Sequence, residues 1–114
     1  MDKENWLDTE PILEQMADPE SMTPSDAKNA SLIVAAQLSR ARGQLGGYRA
    51  IQAEIKAELL GGGNKISEIK ILSEATDNGK DLVVLEEYIL GLDEVLKALK
   101  KSMAIMHEEV RGNI

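Results

Sequence analysis

The chain has 114 residues, 43% of them hydrophobic, a formal net charge of −7, and neither cysteine nor phenylalanine. That length corresponds to one domain with a modest core, and the missing cysteine excludes disulfides and thiolate zinc or iron–sulfur sites. Trp6, Tyr48 and Tyr88 are the only aromatics, so the core has to come from Leu, Ile, Val, Met and Ala, which suits helix packing better than a sheet sandwich.

The charge is unevenly spread. Residues 1–26 hold eight acids and one base, whereas residues 27–114 hold twelve of each. The sequence therefore divides into an acidic N-terminal arm, 1–23, and a helical domain, 24–114. In the arm, Pro11, Pro19 and the segment Asp18-Pro19-Glu20-Ser21 leave room for one short helix, near Glu10 to Ala17. Trp6, Leu7, Ile12, Leu13 and Met16 give it an apolar side, which either docks on the chain's own core or meets a protein partner. Trp6, Leu7, Ile12 and Leu13 are the candidate partner contacts. No apolar N-terminal stretch resembles a signal peptide and no run approaches a membrane span. The expected location is cytoplasmic (a host cytoplasm for a viral chain), with no membrane partner.

Thr23-Pro24-Ser25-Asp26 marks a helix start. A Thr hydroxyl can accept a free backbone N–H, Pro fits the first helical position, and Asp favours the positive end of the helix dipole. From there an apolar seam runs to Leu60: Val34, Leu38, Ala41, Leu45, Tyr48, Ile55 and Leu59 at 4-3 spacing, with Gln52 in the one gap. A stripe of small residues (Ala36, Gly43, Gly47, Ala50 and Ala57) predicts close approach of another helix, and Gly46-Gly47 a kink or close crossing.

Gly61-Gly62-Gly63-Asn64 ends this helix. Lys65 to Thr76 is expected as a short helix with Ile66, Ile69 and Leu72 on one side. A hairpin through Asp77-Asn78-Gly79 is the alternative. A second long helix is expected from Lys80. On it Leu82, Leu85, Ile89, Leu92, Leu96, Leu99, Met103, Met106 and Val110 make one seam, and Val84, Tyr88, Gly91, Val95, Ala98, Ser102 and Ile105 a second. Two seams are too wide for a two-helix hairpin, so the short helix, another subunit or both must cover the surplus. The first seam, Leu82 to Met106, is the candidate oligomer interface. The predicted fold is all-α: an antiparallel pair of long helices with a short helix at the turn and an acidic N-terminal arm.

Nothing in the pattern points to catalysis, a cofactor, a metal or a small-molecule substrate. The single histidine, His107, stands beside Glu108 and Glu109 as a solvated helix end does. Gly61 to Lys65 lacks phosphate-loop spacing and follows a helix, not a strand. The acid pairs Glu86-Glu87 and Asp93-Glu94 are adjacent in sequence and project differently from a helix.

A binding surface is a better match. Residues 27–60 carry five bases and two acids. Arg42, Arg49 and Lys56 recur every seven residues, which returns to nearly one helix face, and Arg40 stands close in sequence. Lys97, Lys100 and Lys101 form a second cluster. Either these bases flank heptads and pair with acids on the facing helix, or Arg40, Arg42, Arg49 and Lys56 track phosphate. With so few aromatics, such nucleic-acid binding would be electrostatic, salt-sensitive and nearly sequence-blind.

The layout resembles phage recombination-repair mediators of the UvsY type over roughly residues 25–112. The most similar stretches are Ile55-Lys56-Ala57-Glu58-Leu59, Ser67-Glu68-Ile69-Lys70, Leu92-Asp93-Glu94-Val95-Leu96-Lys97-Ala98-Leu99 and Ala104-Ile105-Met106-His107. The resemblance implies a ring-forming helical protein that binds single-stranded DNA and helps load a recombinase onto strands covered by a single-strand-binding protein. Where the family tends to carry a second base, this chain has Glu58. Two other readings stand beside it. One is an acidic adaptor or inhibitor whose arm presents negative charge to a basic surface. The other is a small structural component of a larger assembly.

Overall fold

A computed structural model describes residues 1, 3–18 and 20–112, with side chains as far as Glu108. The described residues form four helices: α1 (Glu10–Ala17), α2 (Pro24–Gly61), α3 (Ile66–Glu74) and α4 (Asp77–Gly112). There is no strand among them. The fold is all-α, with two long helices packed on each other and a short helix between them in the chain. The hairpin alternative is not formed.

Local chemistry sets the helix ends. The Thr23 hydroxyl accepts from the Asp26 N–H at 3.1 Å, and the Asp26 carboxylate accepts from the Thr23 N–H at 3.1 Å. This reciprocal capping box satisfies two donors at once. At the other end of α2, the Asn64 N–H bonds the Leu59 carbonyl and the Gly63 N–H bonds that of Leu60, with Gly63 at φ +87°. That is a Schellman turn, and its left-handed position favours glycine. α4 starts at Asp77, three residues before the expected Lys80, because Thr76 caps it: its hydroxyl accepts from the Gly79 N–H at 3.1 Å.

The chain packs as two compact units, to which α2 and α4 both contribute. One comprises Met1 and Arg40–Ile89; the other comprises residues 2–39 and 90–114. In the first, Ala41, Leu45, Leu85 and Ile89 form the apolar core. The antiparallel sense of the helices is fixed there, since Gln52 meets Asn78 and Arg49 meets Glu86. The N-terminal amine lies 3.7 Å from the Asp81 carboxylate. In the second unit the core is Met22, Ala27, Ala30, Val34, Leu38, Leu92, Val95 and Leu99.

From Lys3 onward the arm belongs to that second unit. α1 forms over the expected residues, and the Gln15 amide donates to the Ser21 carbonyl (2.9 Å) and to the Asp26 carboxylate (3.3 Å). It is thereby tied to the capping box of α2. Trp6, Leu7, Ile12 and Met16 are half-buried.

Three expectations about packing change. The small-residue stripe meets no helix: Ala36, Gly43, Gly47, Ala50 and Ala57 are all exposed, and a Cβ at Gly43, Gly46 or Gly47 would find nothing within 4 Å. α2 runs through these glycines as one helix. Nor does α3 bury the face of Ile66 and Leu72, which are 82% and 42% exposed. It docks through Ser73, fully buried, and Ile69, half-buried. Close approach occurs instead at Gly79, where a Cβ would overlap the Ser73 carbonyl oxygen and lie 2.8 Å from the Glu74 carbonyl oxygen.

Candidate functional site

The charged surface of the first unit is built on α2. Its buried side passes through Ala41, Leu45 and Gln52. At about 100° per residue, Arg42, Arg49 and Lys56 fall along one flank of that side, and all three are exposed. Arg40 and Arg42 straddle the buried Ala41 by about 100° each way, so Arg40 lies on the opposite flank, separate from the other three. Arg49 reaches across to Glu86 at 3.8 Å, with both side chains largely in solvent (64% and 44% exposed). That is the heptad-flank pairing expected as the alternative, and a pair this exposed contributes little. Among the described residues Lys56 has no ion-pair partner.

The second unit carries most of the negative charge. Its residues hold twelve acids against six bases, whereas the first holds eight against seven. Glu4, Asp8, Glu10, Glu14, Asp18 and Glu20 are all exposed, so the folded arm turns its apolar side inward and its carboxylates outward. Lys97, in the second basic cluster, is engaged locally with Asp93 at 2.9 Å, one helical turn away. Of the expected partner contacts, only Leu13 is well exposed, at 46%. Trp6, Leu7 and Ile12 are half-buried within the chain, and Lys3 stacks over the Trp6 ring at 5.6 Å.

The expected oligomer interface is corrected at four of its eight residues. Leu85, Leu92 and Leu99 are 0–1% exposed and Ile89 is 9% exposed, while Leu82, Leu96, Met103 and Met106 are half-buried. Packing within one chain takes up Leu85, Ile89, Leu92 and Leu99, because the apolar side of α2 is their natural cover. Val110 lies outside the residues whose side chains are described. Met103 and Met106 line, with Pro24, Lys28 and His107, an open cavity of about 280 Å³.

One cluster was not singled out from the sequence. Gln52, 5% exposed, donates through its side-chain amide to the Ser73 carbonyl at 2.8 Å and accepts from the Asn78 amide at 2.9 Å. Asn78 also donates to the Tyr48 carbonyl at 3.0 Å, and the Thr76 hydroxyl donates to the Ser73 carbonyl at 2.6 Å. The network joins α2, α3 and α4. Every buried side-chain polar atom among the described residues has a partner, so the network fixes register without leaving an unmet group. The signal for it was a glutamine in an apolar seam, which is where a polar residue specifies register.

Among the described residues no group of three or more His, Asp or Glu could hold a metal ion, and no helix is long and apolar enough to cross a membrane. The chain matches no known protein family, no curated protein and no solved structure.

Proposed function

We propose that the chain is a non-enzymatic helical scaffold that self-associates and works on a nucleoprotein assembly, holding single-stranded DNA by its phosphates, as the likeness to UvsY-type mediators implies. A recombinase or a single-strand-binding protein is the partner this reading calls for. The observation that supports it is the flank of α2. Arg42, Arg49 and Lys56 are exposed and in register, about 10 Å apart at 1.5 Å per residue. Arg49 can swing toward a flexible backbone, since the Arg49–Glu86 pair is weak enough for a phosphate to displace. Arg40 takes no part in this stripe.

The test is fluorescence anisotropy of a labelled single-stranded oligonucleotide at low salt. Arg49→Glu should weaken binding by roughly tenfold through loss of one phosphate contact and added repulsion, with an unchanged circular-dichroism spectrum. Equal affinity of the two proteins would remove the reading.

A second reading, an acidic adaptor that binds a basic surface, is favoured by the arm. It is folded, tied down through Gln15 and Met22, and presents its carboxylates outward. Such an arm steers a basic partner, and removal of residues 1–21 would abolish that function while leaving or raising affinity for DNA.

A further inference from the structure

The basic flank of α2 is also a seam. Arg42, Gly46, Arg49, Ala53, Lys56 and Leu60 follow 4-3-4-3-4 spacing, and all six are exposed, Leu60 to 58%. Bases alternate with small residues and end on a leucine. A Cβ at Gly46 would meet nothing within 4 Å, so another helix can lie close along this line.

The outer face of α4 carries the matching pattern. Val83, Glu87, Leu90 and Glu94 follow 4-3-4 spacing and are exposed, Val83 to 49% and Leu90 to 63%. Neither Glu87 nor Glu94 has an ion-pair partner among the described residues. Run antiparallel, the two stripes match position by position. Leu60 faces Val83, Lys56 faces Glu87, Ala53 receives Leu90 and Arg49 faces Glu94. Apolar meets apolar, large meets small and base meets acid.

We propose that the α2 flank of one copy docks on the outer face of α4 of a second copy. This deepens the self-association in the proposed function and rests on that part of it. It places the subunit contact on exposed stripes in place of the Leu82–Met106 seam, whose Leu85, Ile89, Leu92 and Leu99 are buried. Because the flank of one copy meets a different surface of the next, the contact is heterologous and propagates into rings or open chains. Arg49 and Lys56 cannot face a second copy and phosphate together, so single-stranded DNA competes with association. Four facing positions make a small interface, so association is concentration-dependent.

The experiment is sedimentation velocity of the full chain without nucleic acid, at low salt and at about 0.5 M salt, where screening shortens electrostatic reach to a few ångströms. The wild type should associate at low salt, roughly tenfold more weakly at high salt. Arg49→Glu/Lys56→Glu and Glu87→Lys/Glu94→Lys should each stay monomeric while folded, and their equimolar mixture should recover association, with the two variants alternating in equal numbers. Leu90→Ser should weaken association with no change in charge. A wild type that stays monomeric, an equimolar mixture that stays monomeric, or association untouched by Leu90→Ser would each overturn the proposal. Oligonucleotide anisotropy on the same proteins separates the two claims. Loss of DNA binding in Arg49→Glu/Lys56→Glu with association intact would overturn this contact and leave the nucleic-acid reading standing.

Discussion

Gly79→Ala asks whether the α3–α4 junction is as tight as the structure makes it. The new methyl group would overlap the Ser73 carbonyl oxygen and lie 2.8 Å from the Glu74 carbonyl oxygen and 2.9 Å from the Glu74 Cα. All three are backbone atoms, so no side-chain rotation relieves the overlap and α3 must shift. Overpacking of this kind costs about 1–3 kcal/mol. Alanine returns at most about 1 kcal/mol of helix propensity, and less in a first turn. The net loss is about 1–2 kcal/mol. With an unfolding entropy near 0.24 kcal/mol/K for a chain of this size, Tm falls by about 4–8 °C. Gly43→Ala is the control, since its methyl group enters open space and helix propensity alone should raise Tm by about 4 °C. Thermal melts followed at 222 nm read both variants. If both glycine-to-alanine changes raise Tm, the close approach at Gly79 is wrong.

Three further outcomes follow from the packing. Asn78→Ala leaves the buried Gln52 carbonyl oxygen without its donor and should cost about 1–3 kcal/mol, with faster hydrogen exchange over α3, which urea titration and exchange mass spectrometry will show. Thr23→Ala removes the hydroxyl that accepts the Asp26 N–H and should cost about 1 kcal/mol in the same titration. Leu92→Ala, at a side chain 1% exposed, should cost about 2–5 kcal/mol; a loss below 1 kcal/mol would mean the seam is not a core.

The sequence made the long helices legible because their signals are local or strictly periodic. Thr23-Pro24 placed the start of α2, the glycine run placed its end, and Leu85, Ile89, Leu92 and Leu99 marked the buried side of α4. Four things escaped it, each for a physical reason. Thr76 as a cap was hidden, because Asp77-Asn78-Gly79 is also turn chemistry and only the tertiary docking of α3 decides between the two. The face of α3 was misjudged because aliphatic side chains at Ile66 and Leu72 outscored a serine. The buried contact is nevertheless Ser73, whose backbone carbonyl serves Gln52 and Thr76. Nearness in sequence grouped Arg40 with Arg42, but two residues on a helix are about 200° apart, which puts Arg40 across the core from that flank. The seam of α4 was legible as apolar but not as intramolecular. Spacing alone cannot say whether its cover is α2 of the same chain or another copy.

The most direct test of the central claim is the salt dependence of single-stranded oligonucleotide binding by the full chain. Three phosphate contacts, from Arg42, Arg49 and Lys56, predict that log affinity falls against log salt with a slope near −2, and that Lys56→Gln reduces the slope by about 0.7. Absence of binding at low salt, or a slope that Lys56→Gln leaves unchanged, would contradict the account and turn attention to the acidic arm.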